Sequence, residues 1–240
     1  MSDVLRMDNV GLVINQRKIL DNLSLNVGQN SAVTIMGPNG AGKTTLLKIA
    51  LGLLKPTSGE LYFFGKKGLD KHTRNLLGYI PQNLGLVNEL SVFSNIMMGA
   101  LRRMPRWRSM LNMYQKELLD EAYSLMYELK LTHLKDVKIK KLSGGEKQRV
   151  AIARTLIQKP SVVLSDEMTA SLDFKAAVAV MDIFAEIRKK RGITLLMTHH
   201  NPDIAQKYSD TVFIMLNGRV EKSIDSKEMN KEAFSDLYEA

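Results

Sequence analysis

Residues 37–45 read GPNGAGKTT, and no other stretch constrains the chain as tightly. The spacing is G-x-x-x-x-G-K-[ST], with Gly37, Gly42, Lys43 and Thr44 in the fixed places. The flanks suit it. SAVTIM, residues 31–36, is a short apolar run that predicts a buried strand, and LLKIAL, residues 46–51, has helical character. A glycine-rich turn between a strand and a helix curls so that successive backbone N–H groups point inward and make an anion nest. The helix that follows adds the positive end of its dipole. Pro38, Asn39, Gly40, Ala41 and Thr45 complete a loop shaped for the phosphates of a nucleoside triphosphate. Lys43 places a point charge on the β- and γ-phosphates, and the Thr44 hydroxyl is a ligand for Mg²⁺. A chance glycine-rich turn needs neither the lysine and threonine nor the two flanking elements.

Residues 161–173, SVVLSDEMTASLD, supply a second half for such a site. A buried strand ends in Asp166-Glu167. Asp166 is suited to hold Mg²⁺ through water, and Glu167 to polarise a water for in-line attack on the γ-phosphate. Alone, the pair reads as an ordinary acidic turn. Together with a phosphate loop, it reads as the metal and water side of a hydrolytic centre.

At 240 residues and 45% hydrophobic content the chain can bury a sizeable core. It has no cysteine, which excludes disulfides and thiol chemistry and fits a reducing compartment. The start, MSDVLRMDNV, lacks the apolar core of a secretory leader, and no apolar run reaches the roughly 18 residues of a spanning helix. The expectation is a chain that does not cross a membrane by itself. The formal charge is +9, with basic clusters at Arg102, Arg103, Arg106 and Arg108, at Lys135, Lys138, Lys140 and Lys141, and at residues 188–191. Nucleic-acid binding, attraction to an anionic membrane and plain solvated faces compete as readings. The last is preferred for residues 188–191, which close a helix just before Gly192.

Strands alternate with helices along most of the chain. Leu23, Leu25 and Val27 alternate with polar residues; further strands are expected at 61–64, 161–165, 193–197 and 211–216, the last followed by a tight Asn217-Gly218 hairpin, and residues 78–82 read as a strand ending in a loop. Helices are expected at 146–156 and 174–191. Residues 91–135 differ: Phe93, Ile96, Met97, Ala100 and Leu101 fit one helical face, and Leu118, Leu119, Ala122, Leu125, Met126 and Leu129 another, with MPRWRS at 104–109 between them. The fold class is therefore α/β: a phosphate-loop core with a mainly parallel sheet, an N-terminal antiparallel β portion and an inserted helical subdomain. Residues 1–88 and 141–225 are assigned to the nucleotide-binding core, 89–140 to the insert and 226–240 to a short C-terminal helix or tail. The methionines of the insert read as core filler, with a partner-gripping surface as the second reading.

LSGGEKQR, residues 142–149, is a second glycine-rich approach to a helix. Ser143 offers a hydroxyl, and Gly144 and Gly145 leave backbone N–H groups accessible. One nucleotide has no use for two such sites in one chain unless the second serves a neighbour's nucleotide. With this motif the sequence resembles the ATP-binding cassette (ABC) ATPases over essentially its whole length. The resemblance implies ATP and Mg²⁺ as cofactors. It also implies that Gln82 in YIPQN reaches Mg²⁺, that SLD at 171–173 crosses a dimer interface, and that His199 in MTHH touches the γ-phosphate. His200 stands where aspartate is usual and is expected to have no role; His72 and His133 are expected at the surface.

Two such chains close head to tail around two ATP molecules, so the resemblance implies a homodimer. It gives the helical insert the task of docking an integral membrane permease and places the chain peripherally on the cytoplasmic face, with no nucleic-acid partner. There are departures. The usual aromatic platform for adenine falls to Ile14, the usual proline after the catalytic glutamate is Met168, and Gln29-Asn30-Ser31 replaces a Gly-Glu turn. Residues 99–111, GALRRMPRWRSML, with TASLD at 169–173, resemble the ATPase subunits of phosphonate importers. That likeness implies a small anion as cargo and an extracytoplasmic solute-binding protein. The alternative is an ATPase of the lipoprotein-release or cell-division type, which reads GNLD where this chain has Ala170-Ser-Leu-Asp173. A soluble, non-transport cassette protein is the third reading; the single cassette without a coiled-coil insert speaks against it.

Overall fold

The computed structural model describes residues 3–104 and 114–229. In chain order its strands are β1 (Asp3–Ile14), β2 (Arg17–Gly28), β3 (Ala32–Met36), β4 (Ser58–Phe63), β5 (Lys66–Lys67), β6 (Leu77–Ile80), β7 (Val162–Asp166), β8 (Thr194–Thr198), β9 (Thr211–Leu216) and β10 (Arg219–Asp225). Its helices are α1 (Lys43–Ala50), α2 (Lys71–Asn75), α3 (Val92–Gly99), α4 (Lys116–Glu128), α5 (Gly144–Leu156), α6 (Phe174–Arg191) and α7 (Pro202–Tyr208). The contacts divide the described chain into two compact units. The first takes the residues up to Leu77, Ser161–Glu167 and those from Gly192; the second takes Gly78–Pro160 and Met168–Arg191.

In the first unit, β3, β7 and β8 are buried at all five positions. Near-continuous apolar runs of this kind belong in the middle of a parallel sheet covered on both faces. They sit there: β3 runs parallel to β8 and β9, and β7 parallel to β8. The sheet order in this unit is β10-β9-β3-β8-β7, with β10 antiparallel to β9. A second sheet, β2-β1-β4-β5, is antiparallel. Both hairpins turn on residues at positive φ, Asn15 and Gln16 in one, Asn217 and Gly218 in the other, as two-residue turns between twisted strands require. The sheets meet where the Asp21 N–H donates to the Gly218 carbonyl at 3.0 Å and Arg219 Nε donates to the Asp21 carboxylate at 2.8 Å. Met36, Ala205, Val212, Ile214 and Ile224 form a core on one flank. Each of the larger side chains, Met36, Val212, Ile214 and Ile224, stabilises the fold by about 1.5–3 kcal/mol relative to exposure.

The second unit is mainly helical. α5 is its axis, with α3, α4 and α6 all packed against it. Ser91 caps α3, its hydroxyl accepting the Ser94 N–H at 3.1 Å. Asn95 on that helix is fully buried and fully used: Nδ2 donates to Val87 O and Ser91 O at 3.1 and 3.0 Å, and Oδ1 accepts the Val87 N–H at 2.8 Å. Arg191, at the end of α6, makes a two-oxygen ion pair with Glu128 of α4 at 3.0 and 3.1 Å.

The α/β class with its mainly parallel sheet and antiparallel N-terminal sheet agrees with the sequence-based expectation. Three local expectations need correction. α2 and α7 were not anticipated; they are five and seven residues long, too short for a periodic face, and are set by the side-chain caps Asp70 and Asn201. α5 begins at Gly144, two residues before the expected start, because Ser143 caps it. Arg188 is only 5% exposed and does not belong to a solvated basic face. The MPRWRS stretch beyond Met104, the arginines Arg106 and Arg108, and the tail beyond Met229 lie outside the described residues. No helix among the described residues is long and apolar enough to cross a membrane.

Candidate nucleotide site

The phosphate loop joins β3 to α1. Gly37 has φ +155°, and a Cβ there would lie 2.1 Å from the Met215 carbonyl oxygen, so the loop leaves the sheet where only glycine fits. Its far end is held by the Gly218 N–H, which donates to Ala41 O at 3.1 Å. Gly42, at φ +100°, is the N-cap of α1 and supplies no side-chain cap. The first-turn amides of Lys43, Thr44 and Thr45 thus start a helix whose positive end faces the loop. Lys43 is 7% exposed, and its ammonium donates to Gly37 O at 2.8 Å and Pro38 O at 3.0 Å. Burial depresses its pKa, while the nearby Glu167 and Asp166 carboxylates oppose that shift. An uncapped helix start beside a buried ammonium is an arrangement that phosphate oxygens satisfy.

At the end of β7, Asp166 is buried. Its Oδ1 accepts two hydroxyls, Thr44 Oγ1 at 3.1 Å and Thr198 Oγ1 at 2.8 Å. The pairing of β7 with β8 sets Asp166 opposite Thr198. Glu167 leaves the strand at φ +44°, a region that non-glycine residues rarely occupy, and its N–H is taken by Thr198 Oγ1 at 3.0 Å and Thr198 O at 3.3 Å. The turn directs the Glu167 carboxylate to within 4.0 Å of Lys43 Nζ. Thr198 therefore fixes both acidic residues. Sequence reasoning did not single it out; its only signal was its place beside His199 after an apolar run.

His199 follows Thr198 and is buried, its N–H donating to Ile35 O at 3.2 Å. Its Nδ1 accepts the Asn201 N–H at 2.9 Å, which puts the ring proton on Nε2. Burial, followed by the neighbouring His200 charge, pushes the pKa down to about 4. The two rings stack at 5.3 Å and 18°. His200, expected to be a bystander, thus helps keep His199 neutral. Lys43, Thr44, Asp166, Glu167 and His199 all belong to the first unit.

Gln82, Ser143, Gly144 and Gly145 belong to the second. Gln82 is exposed in the turn after β6 that is closed by the Leu84 N–H on Pro81 O at 2.9 Å. Ser143 shares a capping box with Glu146. Its N–H and hydroxyl reach the Glu146 carboxylate at 2.8 and 2.7 Å, which holds that carboxyl below its usual pKa. A Cβ at Gly144 would come within 2.8 Å of Leu172 Cδ2, so the start of α5 lies directly on the SLD loop. Gln148 donates to Ser171 of that loop at 3.4 Å, and Asp173 caps α6 by accepting the Ala176 N–H at 2.9 Å. Ile14 is 42% exposed at the end of β1, paired with Arg17 across the hairpin. Met168 is buried, and His72 and His133 are exposed, as expected of the two histidines.

The fold and the loop geometry define an α/β protein of the phosphate-loop nucleotide-binding class. The description "ABC transporter" matches residues 20–170, more than half of the chain, and the chain belongs to that family as an ATP-binding ATPase subunit. It is 35% identical to the phosphonates import ATP-binding protein PhnC 1 of Pseudomonas aeruginosa, over 100% of this chain and 90% of that protein. It is 33% identical to the phosphonates import ATP-binding protein PhnC of Shigella sonnei, over 99% and 95%. Among solved structures, cbiO1 of Clostridium perfringens, part of the ABC transporter complex cbiONQ, superposes with a TM-score of 0.84 at 29% identity, covering 98% of this chain and 92% of that one. The dimeric post-hydrolysis state of the cassette MJ0796 bound to ADP and Pi gives a TM-score of 0.76 at 27% identity, covering 92% and 98%.

Proposed function

We propose that two copies of this chain hydrolyse ATP at two composite sites and so drive a separate membrane permease that imports a small anion such as a phosphonate. The observation that carries the hydrolytic part is the cluster in which Thr44 and Thr198 share Asp166 while Glu167 faces Lys43. Lys43 and the first-turn amides of α1 hold the β- and γ-phosphates. Thr44, Asp166 and Gln82 hold Mg²⁺. Among the described residues no three acidic or histidine side chains are gathered for a metal, which suits an ion that takes most of its ligands from water and phosphate. Bound Mg²⁺ neutralises charge on the phosphates. Glu167 polarises the attacking water, and the neutral His199 donates its Nε2–H to the γ-phosphate. Ser143, Gly144 and Gly145 complete the site of the neighbouring copy. Residues 89–140 serve as the docking part for the permease on the cytoplasmic face. The names of the relatives support the import reading and the phosphonate-like cargo; an extracytoplasmic solute-binding protein is proposed with it as a further partner.

Glu167→Gln is expected to lower turnover by about 10²–10⁴-fold. ATP binding is retained, and size-exclusion chromatography with ATP shows a closed dimer. Turnover at the parent rate would remove Glu167 from this role. Gentle purification of the tagged chain from its native membranes is expected to recover a multi-span permease with an anion-binding extracytoplasmic protein. Recovery with a lipoprotein-release or division protein instead would overturn import.

A further inference from the structure

The guanidinium of Arg154, on the helix that Ser143 caps, sits in a place that neither the hydrolytic cluster nor the docking part accounts for. Nη1 donates to Gly85 O at 2.6 Å and Nη2 donates to Leu84 O. No carboxylate is paired with Arg154 among the described residues, and burial holds its pKa below the usual arginine value. A half-buried cation that meets main-chain oxygens rather than an acid is spending its planar two-pronged geometry on fixing backbone. The backbone in question is unusual: Leu84 and Gly85 are consecutive residues at positive φ, +57° and +58°. For leucine that conformation persists only when the surroundings enforce it.

The neighbouring side chain of α5 holds the other flank of the same turn. Thr155 Oγ1 donates to Tyr79 O at 3.3 Å and to its own helix at Ala151 O at 2.9 Å. Residues 154 and 155 thus grip the chain at position 79 and at positions 84 and 85. Gln82 lies between these anchors, in the turn closed by Leu84 N–H on Pro81 O. The weaker anchor is the bifurcated hydroxyl; the stronger is the charge-assisted pair from Arg154.

We infer that Arg154 is a positioning residue for ATP hydrolysis, fixing the Gln82 turn to α5 so that the helix carrying Ser143 and the turn carrying Gln82 move as one piece. The inference rests on the role proposed above for Gln82. Lysine at this position keeps the charge but cannot bridge two adjacent carbonyls with a rigid fork.

The test is a double-mutant cycle between Arg154→Lys and Gln82→Ala on the full chain. Its readouts are steady-state ATPase activity, nucleotide binding without Mg²⁺ and thermal unfolding. Arg154→Lys is expected to lower kcat by about 5–20-fold while KM for ATP stays within about twofold, since a positioning fault acts on the step and not on binding. In the Gln82→Ala background the same substitution lowers kcat no further. Equal losses in both backgrounds, or a fall in folded fraction that explains the loss, would show a merely structural Arg154 and overturn the inference. Should Arg154→Lys fail to fold, Arg154→Gln, which keeps a smaller two-donor head without the charge, takes its place in the cycle with the same criteria. If Gln82→Ala alone leaves kcat unchanged, the role given to Gln82 falls and the inference with it. A loss in Gln82→Ala that simply multiplies with that of Arg154→Lys sinks the inference while leaving Gln82 in place.

Discussion

A neutral imidazole is built into His199 by its surroundings. Burial excludes the water that would stabilise the cation, His200 stacks on the ring, and the Asn201 amide occupies Nδ1. The folded pKa of about 4 lies below the unfolded value near 6.5. The sign follows: between these values the unfolded chain binds the proton and the folded chain does not. The parent loses stability as pH falls from about 6.5 to 4, by on the order of 3 kcal/mol in all. Below the folded pKa this contribution changes no further. Urea unfolding across that pH window checks it, and His199→Gln should flatten this part of the profile; an unchanged profile in the variant would assign the slope to other groups. Glu167 carries a different mark, a left-handed backbone at φ +44°, which its side-chain chemistry does not require but its direction toward Lys43 does. Lys43, Thr44, Asp166 and Glu167 were legible in the sequence because each belongs to a motif of fixed spacing. Thr198 was not, because its importance comes from the register that puts it opposite Asp166, and register appears only when the strands pair.

At the scale of elements, legibility followed length. The long helix α6 came out with its expected ends, because five turns of periodic burial leave little choice. The short helices α2 and α7 have only their caps to announce them, Asp70 in one and Asn201 with a following proline in the other. Buried polar anchors were also invisible in sequence. Asn95 reads as one polar residue on an apolar helical face, yet it fastens α3 to the preceding segment by three hydrogen bonds. Asn95→Leu takes the acceptor from the Val87 amide, while the Val87 and Ser91 carbonyls keep the Leu90 and residue-95 backbone N–H donors. We expect a loss of about 1–3 kcal/mol in chemical unfolding, since an orphaned amide keeps its desolvation penalty. A loss below about 0.5 kcal/mol would mean that the loop finds other partners.

For the whole molecule, the α/β class, the two kinds of sheet and the family could be read before the structure, because a strand, a phosphate loop and a helix in sequence allow few folds. The division of the described chain into its two units could not, since it depends on contacts far apart in sequence. A ligand that binds only the folded chain adds to the stability of all of it. ATP with Mg²⁺ at about 100 times its Kd should raise unfolding stability by about 2.7 kcal/mol in the parent. Lys43→Ala should show little of this shift in a thermal melt, and a full shift in that variant would move the phosphate contacts elsewhere.

The Asn217-Gly218 turn holds the phosphate loop through the Gly218 N–H on Ala41 O. Asn-Gly is also a dipeptide prone to age: the glycine nitrogen attacks the asparagine side-chain carbonyl carbon, ammonia leaves, and water opens the cyclic imide to isoaspartate, which adds a carbon to the main chain. Here that nitrogen is engaged by Ala41 O, so the turn reaches the cyclic intermediate only by giving up that hydrogen bond. The contact that shapes the loop also guards the turn that makes it: molecules that stay folded keep Asn217-Gly218 intact, and those that age there lose the prop under their own phosphate site.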